Sequence, residues 1–157
     1  MRAIASLPAS VSVRSRGAQR ALTPSAEDHL ARIYELTAAK GYARGCDIAA
    51  ALGISGPSVT TMVQHLNHKG YLRYEKYRGL TLTSKGTDTA RRQLQRRTVL
   101  TEFFTRLGLD ARNVARDVEG LEHYLSEAGV EKLERLLQTW RPPNEPAAAS
   151  QLHPTSS

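Results

Sequence analysis

Gly53-Ile54-Ser55-Gly56-Pro57-Ser58-Val59-Thr60-Thr61-Met62-Val63-Gln64-His65-Leu66 reads as a tight turn followed by a helix with one apolar face and one small polar face. Pro57 suits the first helical position, where its missing N–H costs nothing. Val59, Met62, Val63 and Leu66 recur at helical spacing and predict the buried side. Gly70 is placed to end the helix. Upstream, a short helix starts at Cys46 or Asp47 and stops at Gly53. A helix, a turn and a second helix with a polar outer face is the arrangement that enters a DNA major groove. Downstream, residues 71–83 hold two short strands, with Leu72/Tyr74 and Leu80/Leu82 alternating and Arg78-Gly79 as the turn. Together these segments predict a winged helix-turn-helix.

With the apolar side buried, the outer face carries Ser58, Thr61, Gln64, His65 and His68, preceded by Ser55 and with Thr60 to one side. Gln64 can pair bidentately with adenine, and a threonine methyl can meet the thymine methyl. Ser55 and Ser58 stand at the helix N-terminus, where a phosphate or the first base is well placed. Lys69, Arg73, Lys76, Arg78 and Lys85 flank this face, opposed only by Glu75. Such flanking cations supply the backbone affinity that DNA binding needs. The plainer reading is a solvated polar helix beside a solvated hairpin. The expected DNA contacts are Ser55, Ser58, Thr61, Gln64, His65, Lys76 and Arg78.

The bulk numbers agree. The chain has 157 residues, 40% of them hydrophobic, and 22 Lys+Arg against 15 Asp+Glu give a net charge of +7. The pI is near 9.9. A small protein this basic suits a polyanion, nucleic acid before an acidic membrane surface. Cys46 is the single cysteine. It excludes an intramolecular disulfide and a cysteine-rich zinc finger, fits a reducing cytoplasmic compartment, and is expected as a small buried packing residue. No apolar run approaches the roughly 20 residues needed to span a bilayer, so no membrane partner is expected. Residues 1–22 carry Arg2, Arg14, Arg16 and Arg20 without an acid, a composition resembling a transit peptide. They are read here as a disordered basic arm. Residues 141–157 are Pro- and Ser-rich and read as a disordered tail.

The remainder predicts a mainly α chain. Ser25 is expected to cap a first helix with Glu27 and Asp28 in its acidic first turn, and Gly41 to stop it. Ser84 is expected to cap a long fourth helix to about Leu107. A fifth helix covers roughly 111–125, and a sixth follows Ser126. The apolar positions after Val99 exceed what a unit of about 60 residues can cover. Helices four to six therefore predict a homodimer interface, and a two-fold protein reads a palindromic operator. The domains expected are a winged helix-turn-helix over 23–83 and an all-helical metal-binding and dimerisation domain over 84–140.

Asp117-Val118-Glu119-Gly120-Leu121-Glu122-His123 is the second informative stretch. On a helix, positions 119, 122 and 123 share one face. Two carboxylates and an imidazole without thiolate suit manganese, iron or zinc better than copper(I). The spacing alone has little specificity, because solvated Glu and His at these offsets are common.

At this point a resemblance enters. Residues 41–52, Pro57-Ser-Val-Thr60, Tyr74-Glu-Lys-Tyr-Arg-Gly-Leu80, Leu82-Thr-Ser-Lys-Gly86 and 117–123 resemble the manganese transport regulator family. That family is a two-domain branch of the diphtheria-toxin-repressor superfamily. The resemblance covers about residues 23–140. It implies a homodimeric repressor that binds Mn2+ and then the double-stranded operators of manganese-uptake genes. It also implies that Asp28, Glu119, Glu122 and His123 are metal ligands. Two positions depart: where the family places a second helix-one carboxylate stands Ala31, and where it places a helix-four histidine stands Arg97. Ala31 cannot ligate and Arg97 offers no lone pair.

These departures argue for one ion rather than two, or for a lost site, with Fe2+ and Zn2+ not distinguished from Mn2+. A sharper alternative is a metal-independent winged-helix regulator in which Arg97 is a fixed cation, its guanidinium forked onto Glu119 or Asp28. The plain alternative is that Arg97 is one more solvated cation in the run Arg91, Arg92, Arg96, Arg97. Glu35 lies one turn beyond Ala31, from where it could reach toward the site, but it reads first as a solvated helix charge. His29 points about 100° away from Asp28 around the helix and is not counted. An interaction module built on the same scaffold is a rival from another class. No nucleophile paired with a base, phosphate loop or separate substrate pocket is legible, so neither an enzyme nor a small-molecule substrate is expected.

Overall fold

The structure is a computed structural model that describes residues 22–75 and 79–140. The expectations for the arm below residue 22 and for the tail fall outside the described residues, as do those for Lys76 and Arg78 in the wing. Six helices and one hairpin make up the rest: α1 (Pro24–Lys40), α2 (Gly45–Leu52), α3 (Gly56–His68), β1 (Leu72–Glu75), β2 (Gly79–Leu82), α4 (Ser84–Arg106), α5 (Ala111–Leu121) and α6 (Glu127–Thr139). The chain is mainly α, as the periodicity predicts.

The helix starts shift by a residue or two from the expected caps. Thr23, not Ser25, caps α1: its side chain accepts from the Ala26 N–H, and a proline follows in the first turn. Thr83, not Ser84, caps α4 by accepting from the Gly86 N–H. Both cases follow from one rule: the cap residue keeps extended dihedrals while its oxygen reaches the third residue on. Ser55 caps α3 and Ser126 caps α6 in the same way. Gly41 ends α1 with φ 80°, a left-handed geometry that suits glycine.

Three clusters hold the interior. In the N-terminal half, Leu30, Ile33, Ile48, Val59, Leu66 and Leu72 are essentially removed from solvent. Truncating any one of the leucines or isoleucines to alanine is expected to cost about 2–5 kcal/mol. In the C-terminal half, Val99, Val130 and Leu137 form one group, and Leu100, Val114 and Val118 another. The strands pair antiparallel with Leu72 opposite Leu82 and Tyr74 opposite Leu80. Cys46 is exposed rather than buried. It sits on the outer side of α2, whose inward position is taken by Ile48.

Helix α4 ties the halves together. At 23 residues it is about 34 Å long. Its first turn meets the hairpin, where a Cβ on Gly86 would lie 1.9 Å from the Tyr71 carbonyl oxygen. It packs against α1 of the N-terminal half and against α5 and α6 of the C-terminal half.

Candidate metal centre and nucleic-acid interface

The polar face of α3 is exposed as the spacing predicts. Ser55, Ser58, Thr61, Gln64 and His65 are all exposed, while Val59 and Leu66 point into the core. The Ser55 hydroxyl accepts from the Ser58 N–H (3.3 Å) and lies 2.8 Å from the Ser58 hydroxyl. The Thr61 hydroxyl donates to the Pro57 carbonyl (3.1 Å). That bond turns the hydroxyl onto the helix, leaving the methyl as the threonine's apolar contribution to the exposed face.

The acidic cluster is assembled from three helices. Asp28 comes from α1 just past its first turn, Arg97 from the middle of α4, and Glu122 and His123 from the end of α5. Asp28, Glu122 and His123 each offer one ligand atom within 4.8 Å of the others. His123 Nε2 lies 3.5 Å from Asp28 Oδ1 and 3.5 Å from Glu122 Oε1. Glu122 is almost fully buried at 1% exposure. Two carboxylate oxygens and one imidazole nitrogen form a hard, mixed donor set that fits a divalent ion such as manganese.

Glu119 is not among these groups. Helix α5 ends at Leu121, with Glu122 as its C-cap and His123 beyond it. Glu122 still has helical dihedrals, so the departure from a continuous helical face begins only at His123. Gly120 weakens the last turn, and Ser126 already starts the next helix. Glu119 remains exposed and borders a cavity of about 660 Å³ between α1, α2, α4 and α5, which Asp28, Glu35, Arg97 and Glu122 also line.

Arg97 is not a solvated cation. Its Nε and Nη2 donate to Glu122 Oε2 and Oε1 at 2.8 and 2.7 Å, a two-pronged fork. Nη2 is also 3.5 Å from Asp28 Oδ1. The fork falls on Glu122, not on Glu119 or Asp28 as the sequence suggests, because Glu122 is the carboxylate that the end of α5 turns inward. The hydrogen bonds to Glu122, with Asp28 and Glu35 nearby, hold the guanidinium charged against its partial burial. Glu35 is thus part of the surroundings of Arg97, and it pairs with Arg32 at 2.9 Å. Burial pushes the Asp28 carboxyl above its usual range; Glu122 and Glu27 add to this, while His123 and Arg97 oppose it. Ala31 is buried and presents only a methyl group. His29 is buried away from the cluster, its Nδ1–H donating to the Ser25 carbonyl at 2.6 Å.

One contact was not legible beforehand. Glu27, read only as a helix-start acid, accepts a hydrogen bond from His123 Nδ1 at 2.9 Å. The two residues are 96 positions apart, and no local pattern links them.

Comparison with known proteins gives a consistent result. The model for "Iron dependent repressor, N-terminal DNA binding domain" matches residues 21–80. The model for "Iron dependent repressor, metal binding and dimerisation domain" matches residues 83–143. The HTH-type transcriptional regulator MntR of Lysinibacillus sphaericus (strain C3-41) is 51% identical over 116 residues, covering 74% of this chain and 84% of the relative. The regulator of the same name from Listeria welshimeri is 45% identical over 130 residues, covering 83% and 90%. Among solved structures, the manganese regulator SloR superposes with a TM-score of 0.67 at 30% identity, covering 74% of this chain and 55% of that one. The apo form of the manganese-activated repressor ScaR gives 0.61 at 29%, covering 70% and 53%. The chain thus spans about half the length of the solved regulators it matches.

Proposed function

The chain belongs to the iron-dependent repressor family and is a metal-responsive DNA-binding transcriptional repressor, and on that premise we propose that its effector is manganese, one ion per protomer, held by Asp28, Glu122 and His123. The observation that carries this reading is the convergence of those three side chains from helices of both halves. A bound divalent ion supplies a positive charge that neutralises the clustered carboxylates and joins α1 to the end of α5. The chain's own groups do the rest. Asp28 brings α1 of the DNA-binding half, Glu122 and His123 bring the C-terminal half, and Arg97 orients the buried Glu122.

Arg97 takes the place of a second cation. A unit charge about 5 Å from a divalent ion opposes it by several kcal/mol at an effective dielectric of ~20. One ion beside Arg97 is tolerable because each carboxylate oxygen has two lone pairs, so Glu122 can accept from the guanidinium and still ligate. Two ions beside it are not. The metal-independent alternative, in which Arg97 dispenses with the ion altogether, is not favoured by the likeness to metal-responsive relatives.

In this reading residues 23–83 bind DNA and 84–140 bind metal and pair two copies, in the cytoplasm and without catalysis. The pair sets two α3 helices on half-sites of a palindrome, about 34 Å apart. Ser55, Ser58, Thr61, Gln64 and His65 contact the DNA, with Lys76 and Arg78 of the wing on the backbone. The genes controlled are those of manganese uptake. Glu119 serves at the rim of the site.

The test is a manganese titration of the purified dimer read alongside operator affinity. The wild-type chain should bind one equivalent per protomer and tighten on the operator as it does so. The double variant Ala31→Glu with Arg97→His should bind two. Two equivalents in the wild type, or operator affinity indifferent to manganese and chelator, would overturn the proposal.

A further inference from the structure

The two ring nitrogens of His123 face different partners. Nδ1 is 2.9 Å from Glu27 Oε2, whereas Nε2 faces Asp28 Oδ1 and Glu122 Oε1 at 3.5 Å each. A carboxylate only accepts, and of these contacts only Nδ1–Glu27 is a hydrogen bond, so in a neutral ring the closer partner draws the proton to Nδ1 and leaves the lone pair on Nε2. Glu27 therefore selects the tautomer whose free nitrogen is turned toward the metal ligands. Both side chains are well enclosed, 8% exposed for His123 and 17% for Glu27.

The ordinary role of an acid in a first helical turn is to complement the helix dipole, and any exposed conformer would serve. Glu27 is instead folded inward. It also has no capping duty: with Thr23 as the cap, the third helical position is Ala26, so Glu27 is one residue too late to reach back in a capping box. Neighbouring helix residues diverge by about 100°. An imidazole, whose nitrogens point in different directions, is a side chain that can meet both Glu27 and Asp28.

We propose that Glu27 is a positioning residue for the metal centre: through the Nδ1–H of His123 it holds the ring with Nε2 toward the ion. The proposal rests on the reading of Asp28, Glu122 and His123 as ligands. Partners of this kind, bonded to the far nitrogen of a ligating histidine, are typically worth about 10–100-fold in metal affinity. The N-terminal end of α1 then contributes twice, with Asp28 as ligand and Glu27 as the support behind another ligand.

The test uses the full-length chain with Glu27→Ala and Glu27→Gln. Manganese titration should show unchanged stoichiometry and an affinity lowered about 10–100-fold in Glu27→Ala. Glu27→Gln, which keeps an acceptor oxygen but no charge, should fall between. In chelator-treated protein at mildly alkaline pH, nitrogen-15 imidazole spectra should show His123 protonated at Nδ1 in the wild type. The ring should become a mixture of tautomers in Glu27→Ala, the signal being assigned by its loss in His123→Gln. Wild-type affinity together with an unchanged tautomer in Glu27→Ala would overturn the proposal. If the wild-type chain takes up no manganese, the reading of the site as a metal centre fails instead, and the tautomer measurement still decides whether Glu27 orients the ring.

Discussion

The polar face of α3 and the acidic cluster between α1, α4 and the end of α5 are built in opposite ways. The face draws its side chains from residues 55–65 of a single helix segment, and all of them are exposed. The cluster draws Asp28, Arg97, Glu122 and His123 from three helices and encloses Glu122 almost completely. If the face reads DNA as proposed, each side chain adds its own share to affinity and little to stability. In the cluster, each side chain is held by another, so one substitution is expected to move stability and, at the metal centre proposed above, metal affinity together. A sensor needs the second design, because only a site that spans both halves can transmit occupancy from one to the other.

The comparison can be broken first at the joint between the two regions. Gly86→Ala forces a Cβ against the Tyr71 carbonyl, and overpacking of that kind is expected to cost about 3 kcal/mol. Urea unfolding should show the loss, with operator binding weakened alongside it. A stability change within error would mean that α4 and the hairpin are not rigidly coupled.

Next in size is Glu122→Gln. Removing one member of a buried ion pair typically costs about 3–5 kcal/mol. With the Arg97 side chain 37% exposed, solvent screening reduces this to about 2 kcal/mol. Thermal melts in chelator should record that destabilisation, and manganese uptake should vanish in the same variant. A stable, metal-competent Glu122→Gln would remove the cluster from the account.

Gln64→Ala tests the other region. It should weaken specific operator binding by about 1–3 kcal/mol, read by titration at fixed salt, if it loses one bidentate base contact. Its manganese isotherm and unfolding curve should overlay the wild type. A shift in either would show that the face is not independent of the cluster.

The smallest effect has the reverse sign. The Asp28 pKa is raised in the fold, chiefly by burial. A raised carboxyl favours the folded state below its unfolded value and opposes it once pH passes the folded value. At pH 7 the ionised Asp28 is therefore a small liability in the metal-free protein. Asp28→Asn should melt slightly higher than wild type in chelator at pH 7. The gain should disappear below about pH 4, where the wild-type side chain is itself protonated, and manganese binding should be lost.

Much of the molecule was legible before the structure because its signals are local. The 3,1,3 spacing of Val59, Met62, Val63 and Leu66 depends only on helical pitch, and the alternation of Leu72/Tyr74 and Leu80/Leu82 only on strand pleating. The cap positions were readable to within one or two residues, since several Ser and Thr near each helix start compete for the role. Cys46 was misjudged because a small apolar residue says little about which side of a short helix faces inward.

By itself, the amino-acid sequence determined the order of the elements, the polar face of α3, the basic balance and the presence of carboxylates and a histidine near residue 120. Those follow from covalent order and from periodicity, which act over a few residues. Only the tertiary structure decided that Arg97 forks onto Glu122, that Glu119 stands aside, and that Glu27 reaches His123. Such pairings join positions far apart along the chain, and they depend on where α5 stops and how α1 crosses α4. Those choices are made by packing, which no local pattern records.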